Sequence, residues 1–364
     1  MRTFAKINLN TIQKNFNLLC KKANTLAIPM VKCNAYGHGI IEVSKLLEKN
    51  PKTFALGVCS IEEGLLLREH KIKKPILVFS NSSPWSDELN QAYTRFSLTP
   101  VFYTKEDLKK FLMQKKSLPF HIKFNTGMNR LGIDLSDSVE VYKILTLKKA
   151  KPQGLCTHLA CSETPSSMLT QAQIQDFKNV VSYFESLSPN FIHAANTQAI
   201  LHDQELQLST FCNLIRPGIG LYGYGGSLGK KHGLKPALKW NAKILLQRSL
   251  EAKSFVGYGA TFQAMKATPQ TILAVGYGDG FSRLHSNKKV TIAISSNKLK
   301  KTRVLGRVSM DLTSIELKAT PTHWINLLGE DYVQAQILAQ NMNSIEYEVL
   351  TSISARVPRI YDLG

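Results

Sequence analysis

A lysine set between an apolar run and two glycines is the first residue in this chain equipped for chemistry: VKCNAYGHG, residues 31–39. At the end of a buried strand an ammonium loses part of its hydration. That favours the neutral amine and lets Lys32 form a Schiff base with a carbonyl. Alone, a lysine in such a place is more often a solvated charge. Here Gly37 and Gly39 permit a tight strand-to-helix turn, and the next helix is predicted from Ile40. His158 in CTHLA (156–160) ends another apolar run, where a single histidine is ordinarily a core residue satisfied by one hydrogen bond. Tyr258, in FVGYGATFQA (255–264), reads by itself as a hairpin tyrosine flanked by glycine for turn geometry. Met310 in GRVSMDLT (306–313) reads by itself as core packing.

These residues need elements to position them. Residues 1–9 read as a short strand. A helix follows with Asn10 or Thr11 as N-cap and Ile12, Phe16 and Leu19 at helical spacing. Eight apolar runs of strand length come next, at 28–32, 54–59, 75–79, 98–101, 120–125, 154–160, 190–196 and 212–216. Amphipathic segments such as 40–49 and 168–187 lie between most of them. Eight strands alternating with helices over roughly 200 residues predict an α/β fold, a (β/α)8 barrel. An open doubly wound sheet is the alternative, but no Gly-rich dinucleotide fingerprint follows an early strand. Beyond about residue 232 the segments become short and β-rich (242–250, 271–278, 289–296, 304–317), with two short helices near 333–342 and 345–353. The expected organisation is a barrel domain at 1–232 and a mostly β C-terminal domain at 233–364. Strand 1–9 is able to pack with the C-terminal domain, and GGSLGKKHGLKP (225–236) reads as a linker.

Taken together, the motifs resemble the alanine racemases, enzymes that use pyridoxal 5′-phosphate (PLP), over essentially the whole chain. The resemblance implies that Lys32 holds the cofactor and that Tyr36 reaches its phosphate. NTGMNRLG (125–132) is similar to the family's Asp-Thr-Gly-Met-Gly-Arg segment, with Asn125 and Asn129 in place of the usual Asp and Gly. It implies that Arg130 sits near the PLP ring oxygen and the substrate carboxylate. Lys123 matches a position often carbamylated and paired with that arginine; without the carbamate, Lys123 and Arg130 are two cations that repel. By the same resemblance His158 links Arg216 to the catalytic tyrosine. Asn196 and Thr197 in HAANTQA (193–199) match an Asn-Ser phosphate contact. Gly218 and Ile219 in RPGIGLYG (216–223) offer backbone N–H groups to phosphate, in keeping with phosphate sites after the last two strands of barrels. Met310 is implied at the substrate carboxylate. Tyr277 and Asp311 are implied in the corridor by which substrate enters.

Racemisation needs two proton carriers on opposite faces of Cα, because one base returns the proton to the side it left. The resemblance gives Tyr258 the proton of the L-enantiomer and Lys32 the opposite face. An Arg216–His158–Tyr258 chain would supply positive charge that favours phenolate. In the family these two bases come from different subunits of a head-to-tail homodimer. Arg216 offers only donors, so facing the pyridine nitrogen it keeps that atom unprotonated. PLP decarboxylases of the same barrel place a carboxylate there, so Arg216 argues for a racemase. Before the Arg-Val-Pro-Arg run this chain has Ala355 where the family commonly has Tyr. Loss of that ring predicts space beside the substrate side chain and better use of serine.

The expected function is PLP-dependent interconversion of L- and D-alanine by a Lys/Tyr two-base mechanism, supplying D-alanine for peptidoglycan. A serine or broad-specificity racemase is the alternative. A noncatalytic PLP-binding protein is a more distant one, disfavoured by the β-rich residues 233–364 and by Tyr258. Composition sets the outer limits. The 364 residues are 43% hydrophobic, an ordinary globular balance, with no apolar run long enough for a membrane span and no secretory h-region in MRTFAKINLN. The six cysteines form no CxxC pair and no zinc-spaced cluster, so no metal is expected, and reduced thiols in a cytoplasmic protein are the simplest reading. The net charge is +20. Lysines spread over helix faces, as in KEDLKKFLMQKK (105–116), and no nucleic-acid-binding signature accompanies them, so a basic solvated surface is expected rather than a nucleic-acid partner. NKLKKTR (297–303) reads as an exposed turn between strands.

Overall fold

The computed structural model describes residues 1–114, 118–294 and 298–362. Lys115 and Lys116 of the basic helix, Ser295 and Ser296 of a predicted strand, Asn297 of the basic turn and the last two residues lie outside the described residues.

A strand, β1 (Thr3–Asn8), runs directly into helix α1 (Leu9–Ala23). The N-cap is Asn8, whose side chain accepts from Thr11 N at 2.7 Å. The helix therefore starts earlier than the expected Asn10 or Thr11, because the strand delivers an Asn straight to the cap position. Eight strands then alternate with helices: β2 (Leu26–Ala27), α2 (Ile40–Glu48), β3 (Leu56–Val58), α3 (Ile61–Glu69), β4 (Ile76–Val78), α4 (Asp87–Arg95), β5 (Leu98–Phe102), α5 (Lys105–Leu112), β6 (His121–Asn125), α6 (Ser138–Leu147), β7 (Gly154–Cys156), α7 (Met168–Tyr183), β8 (Phe191–His193), α8 (Thr197–Leu201) and β9 (Leu214–Ile215). All eight predicted barrel strands form. β3 to β8 pair in parallel in chain order, and β9 pairs in parallel with β2. Parallel bridges Ala27–Thr53 and Met30–Gly57 join β2 to β3, and Asn213 N and Arg216 N donate to Ile192 O and Ala195 O across β8 and β9. Those hydrogen bonds close the ring. The first barrel strand forms at Leu26–Ala27, just before the expected 28–32, where Pro29 has no N–H to give the ladder and only Met30 forms a bridge, to Gly57.

Alternation along each strand decides which side chains enter the barrel. In β6, Ile122 and Phe124 belong to the main core, while Lys123 reaches the cavity at the barrel mouth. In β7, Leu155 joins the main core, whereas Cys156 packs inside the barrel with Ile28, Ala55, Leu77, Val101 and Leu214. Polar residues of strand sequences thus gather within the barrel beyond an apolar plug.

After a short helix, α9 (Gly226–Lys231), within the predicted linker, the chain builds a second sheet. Its strands are β10 (Leu238–Leu250), β11 (Thr268–Leu273), β12 (Lys289–Ala293), β13 (Leu299–Arg303), β14 (Thr313–Ile315), β15 (Trp324–Leu328) and β16 (Arg359–Asp362), and it includes β1. The order is β13-β12-β15-β10-β1-β16, with β11 on the far half of β10 and β14 beside β11. β1 pairs antiparallel with β10 and parallel with β16. The basic segment expected as a turn is instead edge strand β13: Lys300, Lys301 and Arg303 are exposed and Thr302 is buried, so lysines guard an open sheet edge. Two helices, α10 (Tyr332–Met342) and α11 (Glu346–Thr351), complete this region.

Candidate active site

Lys32 leaves the barrel on backbone that only a tightly held turn can maintain. Cys33 and Asn34 adopt φ of 53°, and Ala35 and Tyr36 of 52°. Left-handed helix costs L-residues roughly 1–2 kcal/mol each, and a run of four persists only where the surroundings over-determine it. Val31 O accepts from Ala35 N at 2.8 Å and Asn34 Oδ1 from Ile40 N at 2.8 Å, tying the turn to β2 and α2. The second domain closes on it. A Cβ on Gly37 (φ 81°) would lie 2.2 Å from Leu350 O in α11, and one on Gly39 (φ 96°) would lie 1.8 Å from the Tyr361 hydroxyl. Glycine is required there for approach as well as for conformation.

The turn opens into a cavity of about 570 Å³ at the C-terminal ends of the barrel strands. Lys32, Lys123, Arg130 and Arg216 all line it, and no Asp or Glu does among the described residues. Tyr36, His158, Asn196, Thr197, Gly218 and Ile219 line it too. This set suits a ligand carrying more than one negative charge. Burial, reinforced by Arg216, Arg130 and Lys32, pushes the pKa of Lys123 down to about 8. Burial, followed by Arg216, Lys123, Arg130 and Lys32, holds His158 well below the usual histidine range, so it is neutral at pH 7.

Arg216 is buried with no carboxylate partner among the described residues. Its Nη1 donates to His193 Nδ1 and His193 O, both at 2.6 Å; its Nη2 donates to Thr157 O at 2.6 Å and Ala194 O at 3.1 Å and lies 3.4 Å from His158 Nδ1. Nε–H is the guanidinium donor left without an acceptor among the described residues. Because arginine only donates, His193 must accept at Nδ1 and carry its proton on Nε2, 2.9 Å from His121 Nδ1. Thr197 Oγ1 accepts from both Gly218 N and Gly220 N at 3.1 Å. The Gly218 N–H expected to be open is thus already engaged, while Ile219 N–H has no acceptor among the described residues.

Two family models match the chain: the alanine racemase N-terminal domain over residues 7–225 and the alanine racemase C-terminal domain over residues 237–361. The alanine racemase of Carboxydothermus hydrogenoformans is 33% identical, covering 98% of this chain and 99% of that protein. That of Coxiella burnetii is 32% identical, with 98% of each covered.

The chain belongs to the alanine racemase family.

Among solved structures, the alanine racemase of a D-cycloserine-producing Streptomyces lavendulae superposes with a TM-score of 0.88 at 26% identity, over 100% of this chain and 98% of that one. The Bartonella henselae alanine racemase with covalently bound pyridoxal phosphate gives 0.86 at 26% identity, with 100% of both chains covered.

Within one copy of this alanine racemase family member, four predicted site residues do not reach the cavity. Tyr258 is 71% exposed, Met310 53% and Tyr277 44%, and Asp311 is exposed as well. The expected Arg216–His158–Tyr258 chain stops at His158, because Tyr258 stands on a turn between the short paired strands Phe255–Val256 and Phe262–Gln263 of the second domain. Buried Asp279 fastens this surface. It accepts from Gly276 N at 2.9 Å and from Arg356 Nε at 2.7 Å, and Arg356 Nη2 reaches Asp311 Oδ1 at 2.8 Å. Gly278 N donates to Met310 O at 2.9 Å and Tyr277 N to Ser309 O at 3.0 Å, so the segments bearing Tyr277 and Met310 are fastened side by side.

Ala355 is exposed and does not line the cavity; Tyr347 and Thr351 of α11 do. The sequence reading missed both. Their spacing of four places them on one helical face, but only the docking of α11 on Gly37 reveals which face matters. Asn125 turns into its own loop, accepting from Asn129 N at 3.0 Å and donating to Asp134 Oδ1 at 3.0 Å.

Proposed function

We propose that this protein is a PLP-dependent alanine racemase in which Lys32 and Tyr258 serve opposite faces of the substrate Cα. The observation that carries the reading is the cavity: four basic side chains, no carboxylate among the described residues, and a lysine set at the start of a left-handed turn.

The residues present fit the cofactor. The Tyr36 hydroxyl has no hydrogen-bond partner among the described residues, and a Cβ at Gly218 would come within 2.6 Å of it, so glycine keeps a small polar recess open. Tyr36, Thr197 and Ile219 N–H are assigned to the phosphate, with Asn196 as support. Asn196 Oδ1 accepts from Ala199 N at 3.0 Å as the N-cap of α8, so its part is to fix the loop. Lys32 is the point of covalent attachment. Arg216 Nε–H, the donor left over, is assigned to the ring nitrogen. When bound, PLP supplies delocalisation of the negative charge that develops at Cα.

The remaining chemistry belongs to the chain. Arg130 holds the substrate carboxylate on one side. Lys32 Nζ carries a proton on one face of Cα. The Tyr258 hydroxyl of a second copy carries the other, beside Met310, with Tyr277 and Asp311 lining the approach. A homodimer accounts for the exposure of Tyr258, Met310 and Tyr277, since large apolar side chains grouped on one surface favour burial against a partner. The alignment of a neutral His158 with the Tyr258 phenol would be completed at that interface. The six cysteines are free thiols, which accords with a cytoplasmic enzyme whose D-alanine feeds peptidoglycan.

The test is racemisation of L-alanine by PLP-loaded protein, followed by loss of optical activity, with Lys32→Ala and Tyr258→Phe variants. Each variant alone is expected to be inactive. Mixed after subunit exchange, half the dimers are heterodimers with one intact site of two, so about a quarter of parental activity returns. An inactive mixture refutes the shared site, and an inactive parent refutes the racemase.

A further inference from the structure

The left-handed turn after Lys32 begins, like any helical turn, with amide groups that have no partner within it. One of them is satisfied from another element. Cys33 N donates to Glu63 Oε1 at 2.6 Å, although Glu63 belongs to α3, thirty residues later in the chain. The other oxygen of the same carboxylate, Oε2, accepts from Cys59 N at 2.8 Å and Ser60 N at 3.4 Å. Ser60 Oγ in turn accepts from Glu63 N at 3.4 Å, which completes a capping box on α3. One carboxylate therefore caps a right-handed helix with one oxygen and a left-handed turn with the other. Cys33 and Cys59, whose amides it joins, both line the cavity beside Lys32.

We propose that Glu63 is a positioning residue for Lys32, clamping the left-handed turn to the end of β3 so that the amine enters the cavity at a fixed point. This rests on the reading of Lys32 as the residue that carries the cofactor. Val31 N donates to Gly57 O at 2.9 Å, so β2 is already fixed to β3 before the turn begins. Beyond Val31 the other hydrogen bonds of the segment run within it, to α2 through Asn34 Oδ1, or to β16, where Arg359 Nε donates to Gly37 O at 3.1 Å. Among the described residues Glu63 alone joins its first amide back to the end of β3, and its three charge-assisted bonds are the stronger kind. Glutamine at this position keeps the shape and one acceptor, but it turns the second oxygen into a donor facing an N–H.

The experiment compares the parent, Glu63→Gln and Ser60→Ala. Ser60→Ala removes the helix-capping hydroxyl and leaves the bond to Cys33. Three quantities are read: the rate at which PLP added to apoprotein develops its visible absorption band, kcat and KM for L-alanine, and hydrogen exchange at the Cys33 amide. Losing one charge-assisted bond is expected to slow band formation and lower kcat about tenfold in Glu63→Gln, with KM within about twofold and faster exchange at Cys33. Ser60→Ala is expected to stay within about twofold of the parent in every reading. Parental rates in Glu63→Gln overturn the assignment, as does an equal loss in both variants, which would mean that only the α3 cap matters. A parent that forms no band refutes the Lys32 reading and this assignment together.

Discussion

Lys123 carries the most quantitative prediction. It is 8% exposed in the barrel mouth, and burial together with Arg216, Arg130 and Lys32 lowers its pKa from 10.5 to about 8. At pH 7.5 about a quarter of such amines are neutral, against roughly one in a thousand for an ordinary lysine. A neutral amine attacks CO2, forming an N–C bond and releasing one proton, and the resulting carbamate puts an anion into a cavity lined by Arg130 and Arg216 and, among the described residues, by no carboxylate. The same shift fixes the stability cost of the free amine. Between pH 8 and 10.5 the unfolded chain binds a proton that the native one does not, so native stability rises with pH through that window. Below pH 8 the cost is present in full, about 3 kcal/mol. Lys123→Met in CO2-free buffer is therefore expected to unfold at higher urea than the parent apoprotein at pH 7, with the difference shrinking towards pH 10. The parent supplied with 13C-bicarbonate is expected to show a carbamate resonance that the variant lacks. A stability difference that stays constant with pH refutes the electrostatic account, and absence of the resonance refutes carbamylation.

Three other outcomes follow from the same structure. Five buried histidines resist protonation, burial being the main cause: His38 and His285 fall to about 4, His121 to about 3, and His158 and His193 well below the usual range. As pH drops below 6.5 the unfolded chain takes up protons that the native one excludes, so stability should fall by up to about 1.4 kcal/mol per pH unit for each; equal urea midpoints at pH 7 and pH 5.5 would contradict this. Gly37→Ala places a methyl 2.2 Å from Leu350 O at φ 81° and should cost roughly 3 kcal/mol or more in urea unfolding, since neither group is a flexible side-chain end. Arg356→Gln leaves buried Asp279 only Arg2 Nη1, 3.5 Å away, as a cationic partner among the described residues, and should raise KM for alanine several-fold and lower stability in urea by roughly 1–3 kcal/mol.

The barrel was legible because its signal is local and repeated. Short apolar runs separated by amphipathic helices leave few topologies, and the period of two in HIKFN already sends Lys123 and Ile122 to opposite faces. Lys32, His158 and Arg216 were legible for a related reason, since each sits just past a strand whose end marks the mouth. What stayed hidden depends on partners distant in sequence. Little in Cys33 to Tyr36 announces a left-handed turn, because Asn34 alone of the four takes φ near +50° readily, and then as a single residue; a run of four is held by Gly37, by α11 and by a carboxylate thirty residues away. NKLKKTR was read as a turn because its charge resembles a loop, whereas an edge strand wants lysine for its own reason.

Ala355 shows where motif reasoning and geometry part. A small residue in place of a ring predicts room beside the substrate only if that position borders the cavity. In this chain it is exposed, and the rim is furnished instead by Tyr347, whose ring lies 6.1 Å from that of Tyr36, itself stacked on Tyr222 at 5.0 Å. Burial, with Glu346 and Glu163 nearby, pushes the Tyr347 phenol up to about 12, so it stays protonated and can only donate or accept a hydrogen bond there. Space vacated at 355 is then remote from the substrate unless a second copy folds it in. The Ser/Ala activity ratio of Ala355→Tyr, set against that of Tyr347→Phe, separates the two. A ratio that moves only in Tyr347→Phe assigns the side-chain pocket to α11, and one that moves only in Ala355→Tyr returns it to the C-terminal run.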